Sequence, residues 1–199
     1  MTQDHSAVTL ATYQAAARVY QERTNRDRPE IIDLVQKMID VIGFGHVLEV
    51  GSGPGWDASL MESMGVQVDR TDGAQAFVDM MRSQGVSAKK LNVVVDDLDG
   101  VFDAVFANAV LLHLSRTELG FVMERLRAAV RPGGALAFTV KEGDGDGWST
   151  AKLGLPRHFT YWRESSLRKV LNESGWTVVS LDHIGEGDEQ PWLFVLARN

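Results

Sequence analysis

Residues 47–55 read Val-Leu-Glu-Val-Gly-Ser-Gly-Pro-Gly, an apolar strand with one embedded acid that runs directly into a glycine loop. Gly51, Gly53 and Gly55 can take backbone angles closed to other residues and let the main chain approach a ligand, which is the chemistry of a nucleotide-type cofactor site. A dinucleotide turn would read G-x-G-x-x-G. Position 56 is Trp, so the third glycine arrives one residue early and the loop reads G-x-G-x-G, with Ser52 and the stiffening Pro54 between the glycines. An adenosine ligand there needs an acceptor for its ribose hydroxyls at the end of the next strand, roughly 20 residues downstream. Asp72 stands at that place, followed by Gly73 and a helix, whereas Asp69 lies inside the strand. A plain helix cap is the alternative for Asp72. Glu49, an acid inside an apolar strand, is costly unless paired, so it serves either a buried salt bridge or the loop and its ligand.

Three further segments carry chemistry. The run Asn108-Ala109-Val110-Leu111-Leu112-His113 follows an apolar stretch opened by Phe102-Asp103. His113 is the natural candidate for a general base, because its ordinary pKa lies near neutrality, although it can equally pack or hydrogen-bond. Residues 141–148 read Lys-Glu-Gly-Asp-Gly-Asp-Gly-Trp at the carboxyl edge of a strand, where ligands bind in open α/β sheets. Lys141 and Glu142 are nearest the strand end, and the carboxylates of this loop could receive a cationic substrate. The D-G-D-G spacing lacks the remaining positions and closing Glu of a calcium loop, so no metal is expected. Residues 156–163 read Pro-Arg-His-Phe-Thr-Tyr-Trp-Arg. Arg157 could pair with a substrate carboxylate, and His158, Phe159 and Tyr161 offer faces to a sulfonium or an aromatic substrate. Phe159 and Trp162 could instead be core residues.

The elements that must position these groups alternate. Residues 7–42 read as helical, with Ala11, Ala15, Ala16 and Val19 on one stretch, Ile31, Leu34, Val35, Met38, Ile39 and Ile42 at amphipathic spacing on the next, and the polar run 21–28 between. Strand 46–50, helix 56–64, strand 66–71, helix 74–84 and a third strand at 91–95 follow as β-α-β units. Strand 102–107, helix 116–130 and strand 135–140 come next, and Arg131-Pro132-Gly133-Gly134 marks the turn between the last two. Ser165 caps a further helix. The closing strands, 176–182 and 191–197, are joined by the short polar loop 185–190 and are therefore antiparallel.

A chain of 199 residues with 44% hydrophobic content fits one domain with a substantial core. The net charge of -7 argues against a phosphate-backbone binder, so nucleic acid is not expected as partner. Cysteine is absent, which removes disulfides, thiolate metal sites and a cysteine nucleophile. The polar start, Met1 to Ser6, and the lack of a long apolar run predict a cytoplasmic protein with no membrane partner. Oligomeric state is open between monomer and homodimer.

The stretch 47–55 resembles motif I of the class I S-adenosylmethionine-dependent methyltransferases, small-molecule branch, and the likeness to a group of small bacterial members extends over nearly the whole chain. The resemblance implies a Rossmann-like, doubly wound seven-stranded α/β sheet, mostly parallel with a C-terminal antiparallel strand, in the order 3-2-1-4-5-7-6. It implies a core over 46–199 beneath a helical lid formed by 1–45. It implies that S-adenosylmethionine is the cofactor and S-adenosylhomocysteine the product. The loop Gly51, Ser52, Gly53, Gly55 and Trp56 would hold the methionine end with Glu49, although relatives often carry Gly-Arg where Trp56 stands. Asp72 and Gly73 would meet the ribose, and Asn92, where relatives usually have an acid, would meet adenine. Asn108 and Ala109 match motif IV beside the nucleophile. A Tyr-x-x-x-A-x-x-Y pattern places Tyr13 and Tyr20 over the cofactor. The substrate side would be Lys141, Glu142, Arg157, His158, Phe159 and Tyr161. The implied reaction is methyl transfer to oxygen or nitrogen of a small molecule. An RNA or protein methyltransferase, or a binding protein without transferase activity, are the alternatives.

Overall fold

A computed structural model describes residues 5–26, 28–185 and 190–199. The polar amino-terminal start up to Asp4, Asp27 of the polar run and residues 186–189 of the last loop lie outside the described residues. Two helices come first, α1 (His5–Arg23) and α2 (Pro29–Ile42). The sheet then begins with β1 (His46–Val50), α3 (Trp56–Ser63), β2 (Gln67–Asp72), α4 (Gln75–Ser83) and the two-residue β3 (Lys89–Lys90). It continues through β4 (Phe102–Ala107), a 3-10 turn (Leu111–His113), α5 (Arg116–Ala129) and β5 (Val130–Lys141). A hairpin of β6 (Asp146–Ser149) and β7 (Arg157–Thr160) leads to α6 (Glu164–Glu173), β8 (Thr177–Ile184) and β9 (Trp192–Arg198).

Seven strands form one sheet in the order β3-β2-β1-β4-β5-β9-β8, and β6 and β7 pair separately. Counting only strands of the large sheet, this is the expected 3-2-1-4-5-7-6. β9 pairs antiparallel with both β5 and β8, and the other pairs are parallel. Helices cover both faces, which is why the central strands are apolar throughout. On one face the predicted side of α2, Ile31, Leu34, Val35, Met38 and Ile42, packs on Val47, Ala104, Phe106, Ala135 and Ala137. On the other, Leu119, Val122, Met123 and Leu126 of α5 meet Leu48, Val105, Leu136 and Phe138. Among the described residues no helix is long and apolar enough to cross a membrane.

Four local expectations are corrected. Residues 91–95 are a turn, not the third strand, because side chains take the backbone groups a ladder would use: Asn92 Oδ1 accepts from the Val94 amide at 3.1 Å and Asp96 Oδ2 from the Asn92 amide at 2.8 Å. The inner face of α1 is Thr9, Thr12, Ala16 and Ala17, while Ala11 and Ala15 are exposed. Ser165 does not cap α6. Arg163 takes the cap position with no side-chain bond, and Glu164 opens the helix paired to Arg168 at 2.7 Å. The β6–β7 hairpin has no counterpart in the sequence reading.

The amino ends of β1, β4 and β5 are tied through Asp103, which pairs with Arg131 and accepts from the His46 amide at 2.7 Å. Gly134 runs so close to this point that a Cβ there would lie 2.4 Å from the Asp103 carbonyl oxygen. Backbone on both sides leaves no flexible group to give way. Gly134→Ala is therefore expected to cost roughly 1–3 kcal/mol of stability, read from urea unfolding. An unchanged midpoint would show that β5 can shift freely.

Candidate active site

A cavity opens beyond the carboxyl ends of β1 and β4, where strand order reverses. Ten of the predicted site residues line it: Tyr13, Tyr20, Gly51, Gly53, Asp72, Gly73, Asn92, Asn108, Ala109 and His113. Its apolar walls include Leu10, Phe77, Val93 and Leu114.

The glycine loop is held by backbone geometry that glycine alone takes readily. Gly51, Gly53 and Gly55 have φ of 71°, 53° and 84°. A Cβ on Gly51 would stand 2.3 Å from the Val110 side chain, so the loop and the β4 end touch at van der Waals distance. At Gly55 the neighbour is Met81 of α4, at 3.2 Å, and this third glycine serves packing. Ser52 anchors the loop to β2: its amide donates to the Thr71 carbonyl at 2.8 Å and its hydroxyl accepts from the Thr71 amide at 3.1 Å. Asp72 closes the arrangement, accepting from the Gly53 amide at 2.9 Å and the Ala74 amide at 2.8 Å. Burial nevertheless pushes its pKa up to about 6, the two amides opposing the shift.

Glu49 stands behind the loop, and among the described residues no basic side chain pairs with it. Arg70, the nearest base, forks onto Glu62 at 2.7 and 2.6 Å. The Ser52 hydroxyl bonds the Glu49 carboxyl, while Oε2 is buried without a partner. Burial first, and then the Asp57 charge, raise Glu49 to about 8. The salt-bridge alternative does not describe this residue.

Asn108 and Ala109 are set by three residues that sequence reasoning passed over. The Asn108 amide donates to Asp57 at 2.9 Å, Asp57 pairs with Arg28, and the Thr139 hydroxyl donates to Asn108 Oδ1 at 2.8 Å while accepting from the Ala109 amide at 2.9 Å. Ala109 has φ 56°, the only non-glycine with positive φ among the described residues. Thr139 had a visible signal, a hydroxyl inside the apolar run Ala-Leu-Ala-Phe-Thr-Val. Arg28 and Asp57 had none.

His113 is buried beside the cavity. Its Nδ1 lies 2.6 Å from the His158 carbonyl, which can only accept, so Nδ1 carries the proton. Nε2 is then the acceptor for the Tyr13 hydroxyl, 2.8 Å away. Burial, opposed by the bond to His158 and aided by the charges of Arg157 and Lys141, lowers its pKa to about 3. Tyr13 is shifted the other way, upward by burial, and stays protonated.

The remaining predicted residues divide. Arg157, Phe159 and Lys141 gather next to His113: the Arg157 guanidinium donates to the Tyr13 hydroxyl at 3.3 Å, and Phe159 lies 4.8 Å from His113 and 4.1 Å from Lys141 Nζ. Tyr161 stands further along, 6.0 Å from Lys141. His158 contributes its carbonyl, while its ring stacks on His5 at 4.0 Å and bonds Asp146 at 3.0 Å. Glu142 is outside this group, bonded to His183 at 2.8 Å. Trp56 lies outside the cavity lining, with Arg26 over its ring at 4.5 Å. Asn92 lines the cavity, but its carbonyl is engaged by Val94. The loop acids are engaged by side chains of the protein itself, Asp144 by Arg163 and Asp146 by the His158 ring.

Residues 20–181 match a methyltransferase domain. The chain belongs to that family. No curated protein matches this methyltransferase at the sequence level. Its fold is shared with a Burkholderia thailandensis 1,6-didemethyltoxoflavin-N1-methyltransferase solved with 1,6-didemethyltoxoflavin and S-adenosylhomocysteine, at 20% identity over 100% of this chain and 91% of that one, TM-score 0.76. The DhpI-SAM-HEP complex is similar at 21% identity over 100% of both chains, TM-score 0.78. The CcbJ methyltransferase of Streptomyces caelestis is similar at 18% identity over 92% of this chain and 95% of that one, TM-score 0.74.

The buried carboxyl of Glu49 gives the ligand-free methyltransferase a distinctive pH response. An acid whose pKa is higher folded than unfolded keeps its proton longer in the folded state, so stability is greatest near or below 4.5 and falls as pH rises to about 8. His113, lowered from 6.5 to about 3, adds stability as pH rises through that window and is silent above it. Between about pH 6.5 and 8 the fall should approach 1.4 kcal/mol per pH unit. Glu49→Gln should flatten it in unfolding titrations, and parallel curves for the two proteins would contradict the assignment.

Proposed function

We propose that this methyltransferase transfers a methyl group from S-adenosylmethionine to an oxygen or nitrogen of a small-molecule acceptor. The observation that carries the reading is the facing pair of the Gly53 amide and the Asp72 carboxylate at the head of a switch-point cavity. The residues present fit such a cofactor. The loop is a cradle that a Cβ at Gly51 would disturb, and Glu49 Oε2 is a buried acceptor lacking a donor. Each Asp72 oxygen accepts one amide and keeps a lone pair for a ribose hydroxyl. Tyr13 and Tyr20, in edge-to-face contact with ring centroids 5.6 Å apart, line the cavity and supply π-electron density that suits a sulfonium.

When bound, S-adenosylmethionine supplies an electrophilic methyl group and leaves as S-adenosylhomocysteine. The protein's contribution is alignment, exclusion of water and disposal of a proton. Asn108 and Ala109 present a fixed edge beside the acceptor. The proton of an acceptor hydroxyl or amine can pass to the Tyr13 oxygen as the Tyr13 proton passes to His113 Nε2, along a bond already in place. With a pKa near 3 in the ligand-free protein, His113 is a weak base, which leaves alignment as the larger effect.

Residues 1–45 supply the lid over the 46–199 core in this reading, with α1 as the moving part. α1 is attached both by polar bonds and by an apolar cluster: Thr9 accepts from the His158 amide at 2.9 Å, Thr12 donates to the Pro156 carbonyl at 2.6 Å and Ser6 donates to Glu118 at 2.7 Å, while Leu10, Tyr13, Ala17 and Tyr20 pack with Ala74 and Phe77. We place the enzyme in the cytoplasm, acting as a monomer or homodimer on a free metabolite.

Both S-adenosylmethionine and S-adenosylhomocysteine are expected to raise the thermal midpoint, and no shift with either refutes the cofactor. Asp72→Ala should weaken S-adenosylhomocysteine binding by about 10- to 100-fold in calorimetry, the worth of hydrogen bonds to a charged acceptor. Unchanged affinity would return Asp72 to the role of a turn cap.

A further inference from the structure

The hairpin that joins β5 to α6 delivers an unusual charge. Arg157 is 6% exposed, yet no carboxylate among the described residues pairs with it; one guanidinium nitrogen reaches the Tyr13 hydroxyl at 3.3 Å, and Nε has no partner at all. Lys141, half-buried at the end of β5, likewise has no acid in contact, and its ammonium lies 4.1 Å from the Phe159 ring. The Arg157 guanidinium lies 5.1 Å from the same ring. Strand alternation puts Arg157 and Phe159 on one face of β7. Two cations thus share one aromatic side chain, and its other ring neighbour is His113 at 4.8 Å. The nearby acids are committed elsewhere: Glu142 to His183 and Arg163, Asp144 to Arg163, Asp146 to His158.

A buried cation is ordinarily paired, because removing it from water is costly and only an opposite charge or several acceptors offset that cost. This protein carries a net charge of -7 and still leaves these two unmatched. A core arginine serving packing alone would be expected to find carbonyls or an acid for its donors. We propose that Arg157 and Lys141 form the acceptor-recognition site of the methyltransferase, and that the acceptor carries an oxyanion, a carboxylate or a phosphate-type group, seated against Phe159 next to His113. The inference rests on the methyltransferase reading of the cavity and adds the substrate class to it.

The cofactor's own carboxylate has a different cation at hand. Lys152 Nζ lies 4.4 Å over the Tyr20 ring, and Tyr20 is the side chain that a Cβ on Gly53 would meet, at 3.8 Å. Lys152 sits against Tyr20 on the glycine-loop side, within electrostatic reach of Arg157 and Lys141, while Arg157 bonds Tyr13 and shares the Phe159 ring beside His113. The planar fork of Arg157 suits two oxygens of one anion, and Lys141 adds a point charge. Seating an anion has a chemical consequence. The charges of Arg157 and Lys141 are among the influences that hold the His113 pKa low, so an oxyanion between them makes His113 a stronger base only when an acceptor is in place.

The test uses benzoate and phenylphosphonate as anionic probes and benzamide as the neutral match, titrated by calorimetry at low ionic strength into the full chain with and without S-adenosylhomocysteine. Both anions should bind, benzamide should not, and Arg157→Gln should weaken the anions by at least about tenfold. Lys141→Gln, at a half-buried site that tolerates the change, should weaken them several-fold. S-adenosylhomocysteine affinity should stay within about threefold in both variants. The His113 ring should titrate at higher pH with phenylphosphonate present. Phenylphosphonate without benzoate would narrow the class to phosphate-type groups, and the reverse to carboxylates. Equal binding of benzamide, or anion binding that survives both substitutions, overturns the proposal. A tenfold loss of S-adenosylhomocysteine affinity with anion binding intact would also overturn it, by assigning the cations to the cofactor. Failure of S-adenosylhomocysteine to bind the unmodified protein would remove the methyltransferase reading, while the titrations without it still judge the oxyanion site.

Discussion

The Asp72 carboxylate joins two pieces of backbone, the glycine loop after β1 and the turn that starts α4. One oxygen takes the Gly53 amide and the other the Ala74 amide. Past Ser52 the loop's one non-glycine residue is Pro54, whose ring carries no polar group to bond the sheet, and its positive-φ glycines are conformationally free before folding. Its shape is therefore imposed from β2, through Asp72 and the paired backbone and hydroxyl bonds of Ser52 and Thr71. Everything that faces the cavity from the β1 side depends on that anchor. It also explains why a group shifted toward protonation is tolerated there, since the amides that lower the pKa are the ones the loop needs satisfied.

The β4 side is organised by strain held in a polar network. Ala109 sits in the left-handed region, which costs a non-glycine residue about 1–2 kcal/mol. Its amide is fixed by Thr139, Thr139 is fixed by Asn108, and Asn108 by the Asp57–Arg28 pair. This chain spans β4, β5, α3 and the segment before α2, so a local backbone distortion is over-determined from three directions. The same bend lets Val110 close against Gly51, bringing the two sides of the cavity into contact.

What the sequence made legible follows from how local each signal is. The alternation of strands and helices, the antiparallel close and the glycine loop rest on periodicity and turn chemistry within a few residues, and these survive packing, whereas the strand order follows from the family resemblance. Asp72 was legible because a strand end and a following Gly73 fix its place. The third strand was misplaced because Leu91-Asn92-Val93-Val94-Val95 has strand composition, while Asn92 and Asp96 turn it through side-chain bonds that composition does not reveal. The β6–β7 hairpin was hidden for the opposite reason: four-residue strands with glycine and charge in them resemble a loop. Lys141, Arg157 and Phe159 were named from their types, but their convergence on His113 depends on that hairpin and could not be read along the chain. The pairing of Glu142, just past β5, with His183 of β8, across the intervening β9, is equally non-local.

The attachment of α1 has a thermodynamic consequence. Its fully buried residues are threonine and alanine, the threonines bonded through their hydroxyls to backbone groups at the hairpin, while the half-buried Leu10, Tyr13 and Tyr20 pack with Ala74 and Phe77. Lifting such a helix exchanges protein hydrogen bonds for water and also uncovers aliphatic and aromatic surface, so opening carries a positive heat-capacity change. The balance between covered and open cavity should then follow a curved temperature dependence, as does the global stability of the sheet built on α2 and α5. The kink at Ala16, between Tyr13 and Tyr20, divides the helix into two segments, one carrying each tyrosine.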